Sequence, residues 1–222
     1  AELIPDFRTA GAPIEADVTE DRVYALSAGG RIALPIIPPP LRNHGNVVIS
    51  LSRFGKWLAS IVEAEGIDVF TGFAGSEVLF EGDRVVGVRT GDRGIDREGR
   101  QKGSFEPGVD IRAKVTIFCD GVRGNLTKQL LQRLPLAEGR QPEQYAIGMK
   151  ELWEIDPAKH KPGLVVHTAG WPLDPATYGG SFLYHMEDNK VAVGFVVGLD
   201  YTNPWLSPFE EFQRFKTHPA IS

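Results

Sequence analysis

Cysteine is nearly absent from this 222-residue sequence, where Cys119 stands alone. A single thiol excludes an internal disulfide framework and any multi-cysteine cluster held by this chain itself. No apolar run reaches the length of a membrane-spanning helix, and the first residues carry no basic-then-apolar leader pattern. Positive charge is in deficit: 24 lysines and arginines face 29 aspartates and glutamates, for a net charge of −5. With the basic residues scattered, that balance argues against a nucleic-acid-binding surface. Repeats and low-complexity stretches are missing, and so is the GxGxxG dinucleotide fingerprint. His44, His167 and His185 fit no metal-ligand spacing and read as structural histidines.

What is present is ordinary for a globular protein: 42% hydrophobic and 24% charged residues, enough for one large domain or two small ones. The first residues, Ala1–Pro5, look like the tail of a longer segment, and the last five look halted in mid-course, so a piece of a longer chain is expected. Residues 22–37 read as a hairpin around Gly29-Gly30, and Pro38-Pro39-Pro40 stiffens its exit. Val47-Val48-Ile49 is a short strand. The following helix is expected to be capped by Ser52, to align Phe54, Trp57, Leu58, Ile61 and Val62 on one face, and to stop at Gly66. Ile67–Phe70 reads as the next strand. Ser76–Glu81 and Arg84–Thr90 flank Gly82-Asp83 as a second hairpin, Gly91–Gly108 reads as a charged loop, and Val109–Arg112 as a short strand.

Lys114–Phe118 is a compact apolar run expected to be a buried strand ending at Cys119. It leads through Asp120-Gly121 to Gly124 and a helix over about Asn125–Leu134. A strand entering a glycine-bearing turn at a helix N-terminus is a place where open α/β sheets bind anions, because free N–H groups and the helix dipole converge there. A plain tight turn explains the same residues. From Tyr145 onward strands dominate: 146–155, 164–168, 181–186 and 191–199. In the last of these, Val191, Val193, Phe195, Val197 and Leu199 point one way, and Ala192, Gly194, Val196 and Gly198 point the other, leaving that face nearly bare. The bare face suits a closely packed helix or a flat ring with an apolar tail. Ser207-Pro208-Phe209-Glu210 is a capping box that opens a final helix.

Gly170–Met186 carries a second glycine feature. Gly179-Gly180 follows Tyr178 and precedes an apolar strand, with Trp171, Phe182 and Tyr184 nearby. Two residues without side chains let a flat ligand reach the main chain, but Gly-Gly pairs mark tight turns with a close strand crossing more often than ligand sites.

Taken together, several blocks resemble the electron transfer flavoprotein–ubiquinone oxidoreductase family. They are 18–22, 43–46, 114–118 with Gly124 and 128–130, Gly148 with 150–153, 170–184, and 198–201 with 203–204, 206–208 and 212–214. The resemblance implies an α+β to α/β fold of the p-hydroxybenzoate hydroxylase-like flavoprotein class. A mixed-sheet ubiquinone domain would be formed by residues 1–41 and 142–222, and part of an FAD domain by 42–141. It implies electron transfer from electron transfer flavoprotein through FAD and a [4Fe–4S] cluster to ubiquinone. The expected location is monotopic, on the bacterial cytoplasmic or mitochondrial inner membrane, with a membrane-inserting helix ending near Leu3 or Ile4. By the same resemblance, Gly179 and Gly180, with Tyr178 beside them, contact the quinone head group. Asp120 and Gly121 organise the phosphate side of FAD, and Arg53 is a further FAD candidate. No residue is assigned to bond-making chemistry or to a metal; Tyr178 is the candidate proton relay. The cluster cysteines and the dinucleotide fingerprint fall outside these residues, so this piece by itself is expected to be inactive and colourless, retaining neither cofactor. Two other readings stay open: a flavoenzyme of the geranylgeranyl reductase-like or FixC-like class, and a binding module without catalysis.

Overall fold

The computed structural model describes residues 3–221, which form two compact units. One comprises residues up to Ile67 together with Glu143 onward, and the other comprises Asp68–Pro142. The strand and helix after Asn43 belong to the larger unit. Their anchors are β-pairing and polar contacts to the first twenty residues, which sequence periodicity does not report.

The larger unit is built on a six-stranded mixed sheet. Its strands are β2 (Glu20–Ser27), β3 (Gly30–Ala33), β10 (Ala146–Glu154), β11 (Leu164–Gly170), β12 (Gly179–His185) and β13 (Lys190–Gly198), in the order β10-β13-β12-β11-β2-β3. All neighbours are antiparallel except β11 and β2, which run parallel with Val166 opposite Arg22. The β12–β13 turn places Asp188 and Asn189 at φ of 55° and 56°, the left-handed pair that a tight twisted hairpin needs. The alternation along β13 is realised: Val191, Val193, Phe195 and Val197 are buried together with Phe212 and Phe215 of α3 (Pro208–Lys216). Ser207 caps α3, its Oγ accepting the Glu210 N–H at 3.4 Å. On the bare face no helix among the described residues packs against β13. The Phe182 ring lies over Gly194 instead, where any Cβ would overlap it.

β1 (Ile14–Asp17) and β4 (Val47–Ile49) form a separate antiparallel pair, and α1 (Leu51–Ala64) follows. Ser50, not Ser52, occupies the N-cap position, and it makes no side-chain cap hydrogen bond. The two hydroxyls lie 3.1 Å apart and bond to each other instead. Gly66, at φ 78°, ends the helix as expected.

In the smaller unit β5 (Gly75–Glu81) and β6 (Arg84–Thr90) form the expected hairpin, with β9 (Asp110–Arg112) added at its edge. The segment read as a charged loop is itself a hairpin, β7 (Arg93–Ile95) with β8 (Gln101–Glu106). Its charged strands bury too little to show a hydrophobic period. α2 (Asn125–Arg133) packs on β5, with Leu126 against Gly75 and Leu130 buried. Two expected strands are not formed. Ile67–Phe70 and Lys114–Phe118 are irregular, and Ile117 is 82% exposed. An apolar run becomes a strand only when another strand accepts its backbone hydrogen bonds, and none among the described residues does. Cys119, expected in the core, is exposed accordingly.

Candidate functional site

Gly179 and Gly180 sit inside the six-stranded sheet, not in a turn. Gly179 pairs with Val197 and Gly180 with Val196, while β11 lies on the other side of the strand. A Cβ on Gly180 would stand 2.5 Å from the Thr168 carbonyl, and one on Gly179 would overlap Leu173 and the Val196 carbonyl. The sheet therefore requires both glycines before any ligand is considered. Tyr178 is 78% exposed at the mouth of the strand, and its carbonyl accepts the Gly198 N–H at 2.8 Å. The three residues are thus contiguous, with bare main chain beside an exposed phenol.

Alternation along β12 puts Gly180, Phe182 and Tyr184 on one face. Phe182 and Tyr184 stack with centroids 4.7 Å apart. At the Tyr184 end of this floor opens an apolar cavity of about 1090 Å³ whose walls include Phe7, Ile14, Phe54, Trp57 and Val165. The apolar side of α1 thus faces a cavity, not a packed core. Behind Tyr184, His167 on β11 places Nε2 3.1 Å from the phenol oxygen, and its Nδ1 is buried without a hydrogen-bond partner. Burial raises the Tyr184 pKa and lowers that of His167, the latter partly offset by Asp21. Both groups are therefore neutral at pH 7. Sequence spacing treated His167 and Tyr184 separately, since their meeting depends on the β11–β12 register. The register sets His167 opposite Phe182 and Val165 opposite Tyr184, so the two polar side chains meet as diagonal neighbours on one sheet face.

Asp120 and Gly121 belong to the smaller unit. The Asp120 carboxylate accepts the Leu126 N–H at 2.9 Å, the Thr127 N–H at 3.0 Å and the Thr127 hydroxyl. The Thr127 hydroxyl, followed by its N–H, holds the carboxyl below the usual carboxylate range. Asp120 is thus the N-terminal cap of α2, reaching it around a turn that Gly124 must keep free of a side chain. The amides expected to be free for an anion are taken by this carboxylate. Gly121, at φ 80° with open space where a Cβ would be, leaves its main chain accessible. Arg53, in the first turn of α1, donates to Glu15 at 2.7 Å; the Glu15 side chain is 7% exposed. A phosphate there would share the guanidinium with a buried carboxylate.

His44 is exposed, and its N–H donates to Asp21. His185 is buried on the opposite face of the sheet from Tyr184. Among the described residues, no three His, Cys, Asp or Glu side chains converge as a metal site, and no helix is long and apolar enough to cross a membrane.

Comparison with known proteins bears on this geometry. Residues 145–222 match the family model described as ETF-QO, ubiquinone-binding. The chain is 51% identical, over 99% of its length, to the mitochondrial electron transfer flavoprotein-ubiquinone oxidoreductase of Bos taurus, covering 36% of that protein. It is 49% identical to the Pseudomonas aeruginosa protein of that name, covering 41% of it. It spans between about a third and two fifths of the length of these curated relatives. In fold it is similar to a geranylgeranyl bacteriochlorophyll reductase-like protein of Thermoplasma acidophilum, with a TM-score of 0.63 at 20% identity over 94% of this chain and 47% of the other. A triple mutant of the flavin-dependent brominase Bmp2 gives 0.57 at 15% identity, over 99% and 50%. These likenesses establish the expected p-hydroxybenzoate hydroxylase-like class of mixed-sheet flavoprotein fold.

Proposed function

We propose, for a chain that belongs to the electron transfer flavoprotein–ubiquinone oxidoreductase family, that its six-stranded sheet supplies the ubiquinone pocket of an oxidoreductase. The observation that carries this reading is the shared face of Gly180, Phe182 and Tyr184, which ends in the apolar cavity. The quinone head lies against the main chain at Gly179 and Gly180 with Tyr178 at its rim, and the isoprenoid tail follows the aromatic floor. An apolar slot with a few polar groups at one end is the usual form of such a site. The family match over residues 145–222 takes in Gly179, Gly180 and Tyr178, and the high identity to named oxidoreductases favours this reading over the reductase-like alternative, whose likeness is in fold alone.

As part of the whole protein, the chain takes part in passing electrons from electron transfer flavoprotein to ubiquinone at a membrane surface. Bound FAD supplies the two-electron chemistry. The smaller unit fits FAD only in part: the open Gly121 main chain is available, whereas Asp120 positions the turn and keeps the α2 amides to itself. Arg53 remains an FAD contact only by sharing its charge with Glu15. A [4Fe–4S] cluster does not fit this chain, since such clusters are held by several thiolates and Cys119 is the one cysteine.

Gly180→Leu is a poor test, because the side chain would strike the Thr168 carbonyl and disturb the sheet. Tyr178→Ala leaves the sheet untouched. In the full-length protein titrated with a short-chain ubiquinone, it should weaken binding by about fivefold with an unchanged melting temperature. Unchanged affinity would remove Tyr178 and its glycines from the pocket.

A further inference from the structure

On the sheet face opposite Tyr184, and so beyond the quinone reading, lies a second cavity of about 410 Å³. Ligand sites commonly measure ~300–1,000 Å³. Its floor is apolar, formed by Leu164, Val166, Leu183 and Val191, with Trp153 and Ile221 as walls. Its rim is cationic: Arg22, Arg31 and Lys159 line it against one carboxylate, Asp156. Arg22 is matched by Glu20 at 2.5 Å, but Arg31 and Lys159 have no ion pair among the described residues. Arg31 is held in place by the Tyr24 ring, 4.6 Å below its guanidinium carbon. Asp156 is occupied by the Ala158 N–H.

His185, on the same floor, reports the local field. Burial depresses its pKa to about 4, and His160, Lys161 and Arg22 push it the same way. A positive, apolar recess on a chain of net charge −5 calls for a ligand with one anionic end and one greasy end. With Arg22 matched by Glu20, Arg31 and Lys159 against Asp156 leave one net positive charge at the rim, which favours a single negative charge over a dianion.

We propose that this cavity binds a medium-chain fatty carboxylate, its tail on Leu164, Val166, Leu183 and Val191 and its carboxylate between Arg31 and Lys159. The two cations reach the mouth on aliphatic stems, so the head group stays near water while the tail is covered. No bond is made or broken; the site is one of binding.

The test is calorimetric titration of the full-length protein with decanoate, decanol, butyrate and decyl phosphate. Saturable decanoate binding is expected, weaker by about tenfold for butyrate, which lacks the tail, and for decanol, which lacks the charge. Raised salt should weaken decanoate and leave decanol unchanged. The double variant Arg31→Gln, Lys159→Gln should lower decanoate affinity about tenfold while short-chain ubiquinone binding and the melting temperature stay constant. Decanol binding as tightly as decanoate, or a double variant that binds decanoate normally, would overturn the proposal, as would no saturable binding at all. Tighter decyl phosphate would reassign the ligand to a phosphate ester and overturn the carboxylate choice. Ubiquinone binding read in parallel separates failure here from failure of the quinone pocket.

Discussion

The Nε2 of His167 stands 3.1 Å from the Tyr184 hydroxyl across the β11–β12 ladder, and the other ring nitrogen of His167 is buried with no hydrogen-bond partner among the described residues. The pair is therefore asymmetric: Tyr184 has one partner, and His167 has already left one polar atom unmatched. Tyr184→Phe removes the remaining partner and should destabilise the protein by about 1–3 kcal/mol, the cost of an unsatisfied buried group. Adding His167→Leu should recover part of that loss, because two matched polar groups are then replaced by apolar ones. Urea unfolding of the four-member cycle reads the coupling. Additive losses would show that the two side chains do not depend on each other.

His185 gives the molecule a stability that changes with acid. Its Nδ1 accepts the Lys161 N–H at 3.1 Å, so the neutral ring carries its proton on Nε2, and protonating Nδ1 breaks that bond. The folded pKa, near 4, lies below the ordinary 6.5. The unfolded chain thus binds the extra proton first, and the folded state loses stability as pH falls from about 6.5 to 4. At about 1.4 kcal/mol per pKa unit, reduced for the solvent open to this cavity, the loss is on the order of 2 kcal/mol. His185→Gln should flatten that part of the stability-against-pH curve. An unchanged slope would mean another group titrates there.

Gly194 and Phe182 form a mutually exclusive pair. Gly194→Ala puts a methyl group into the Phe182 ring and should cost about 1–3 kcal/mol, the range for overpacking a filled site. In a Phe182→Ala background the same change should cost much less. Melting temperatures of the two single variants and the double variant decide this. A penalty that persists without the ring would assign the strain to the backbone.

Asp120→Ala should loosen the start of α2. Amide exchange at Leu126 and Thr127 should accelerate more than at Leu130, since only the first two N–H groups lose the carboxylate. Because the Thr127 hydrogen bonds lower the Asp120 pKa, the wild-type cap persists through the ordinary carboxylate range. It is released only as pH falls through the depressed folded value. Uniform exchange along α2 in the variant would argue against the cap.

Some of this was legible from local pattern. The alternation in β13 reported the bulky face that α3 covers through Phe212 and Phe215, and Ser207-Pro208 announced that helix. The turn at Asp188-Asn189 was equally readable. Other features depend on partners distant in sequence. Lys114–Phe118 carries the composition of a central strand, but strand formation depends on a neighbour that the run does not encode. Asp120 looked like half of a ligand motif because its partner, Thr127, sits beyond the turn that it closes. Gly179 and Gly180 resembled a turn; only their pairing with β13 and the approach of Leu173 and of the Val196 and Thr168 carbonyls show that they lie inside the sheet. The family resemblance named these positions for quinone contact, while the structure supplies an independent reason for them to be glycine.

The single parallel join in the sheet sets an order of events during synthesis. β2 ends at Ser27 and its neighbour β11 begins at Leu164, with the whole of the smaller unit encoded between them. At about 5–20 residues per second, the β2–β3 hairpin emerges from the ribosome on the order of ten seconds before the strand that shelters it. During that interval the β2 edge that later pairs with β11 stands open to chaperones or to other nascent chains.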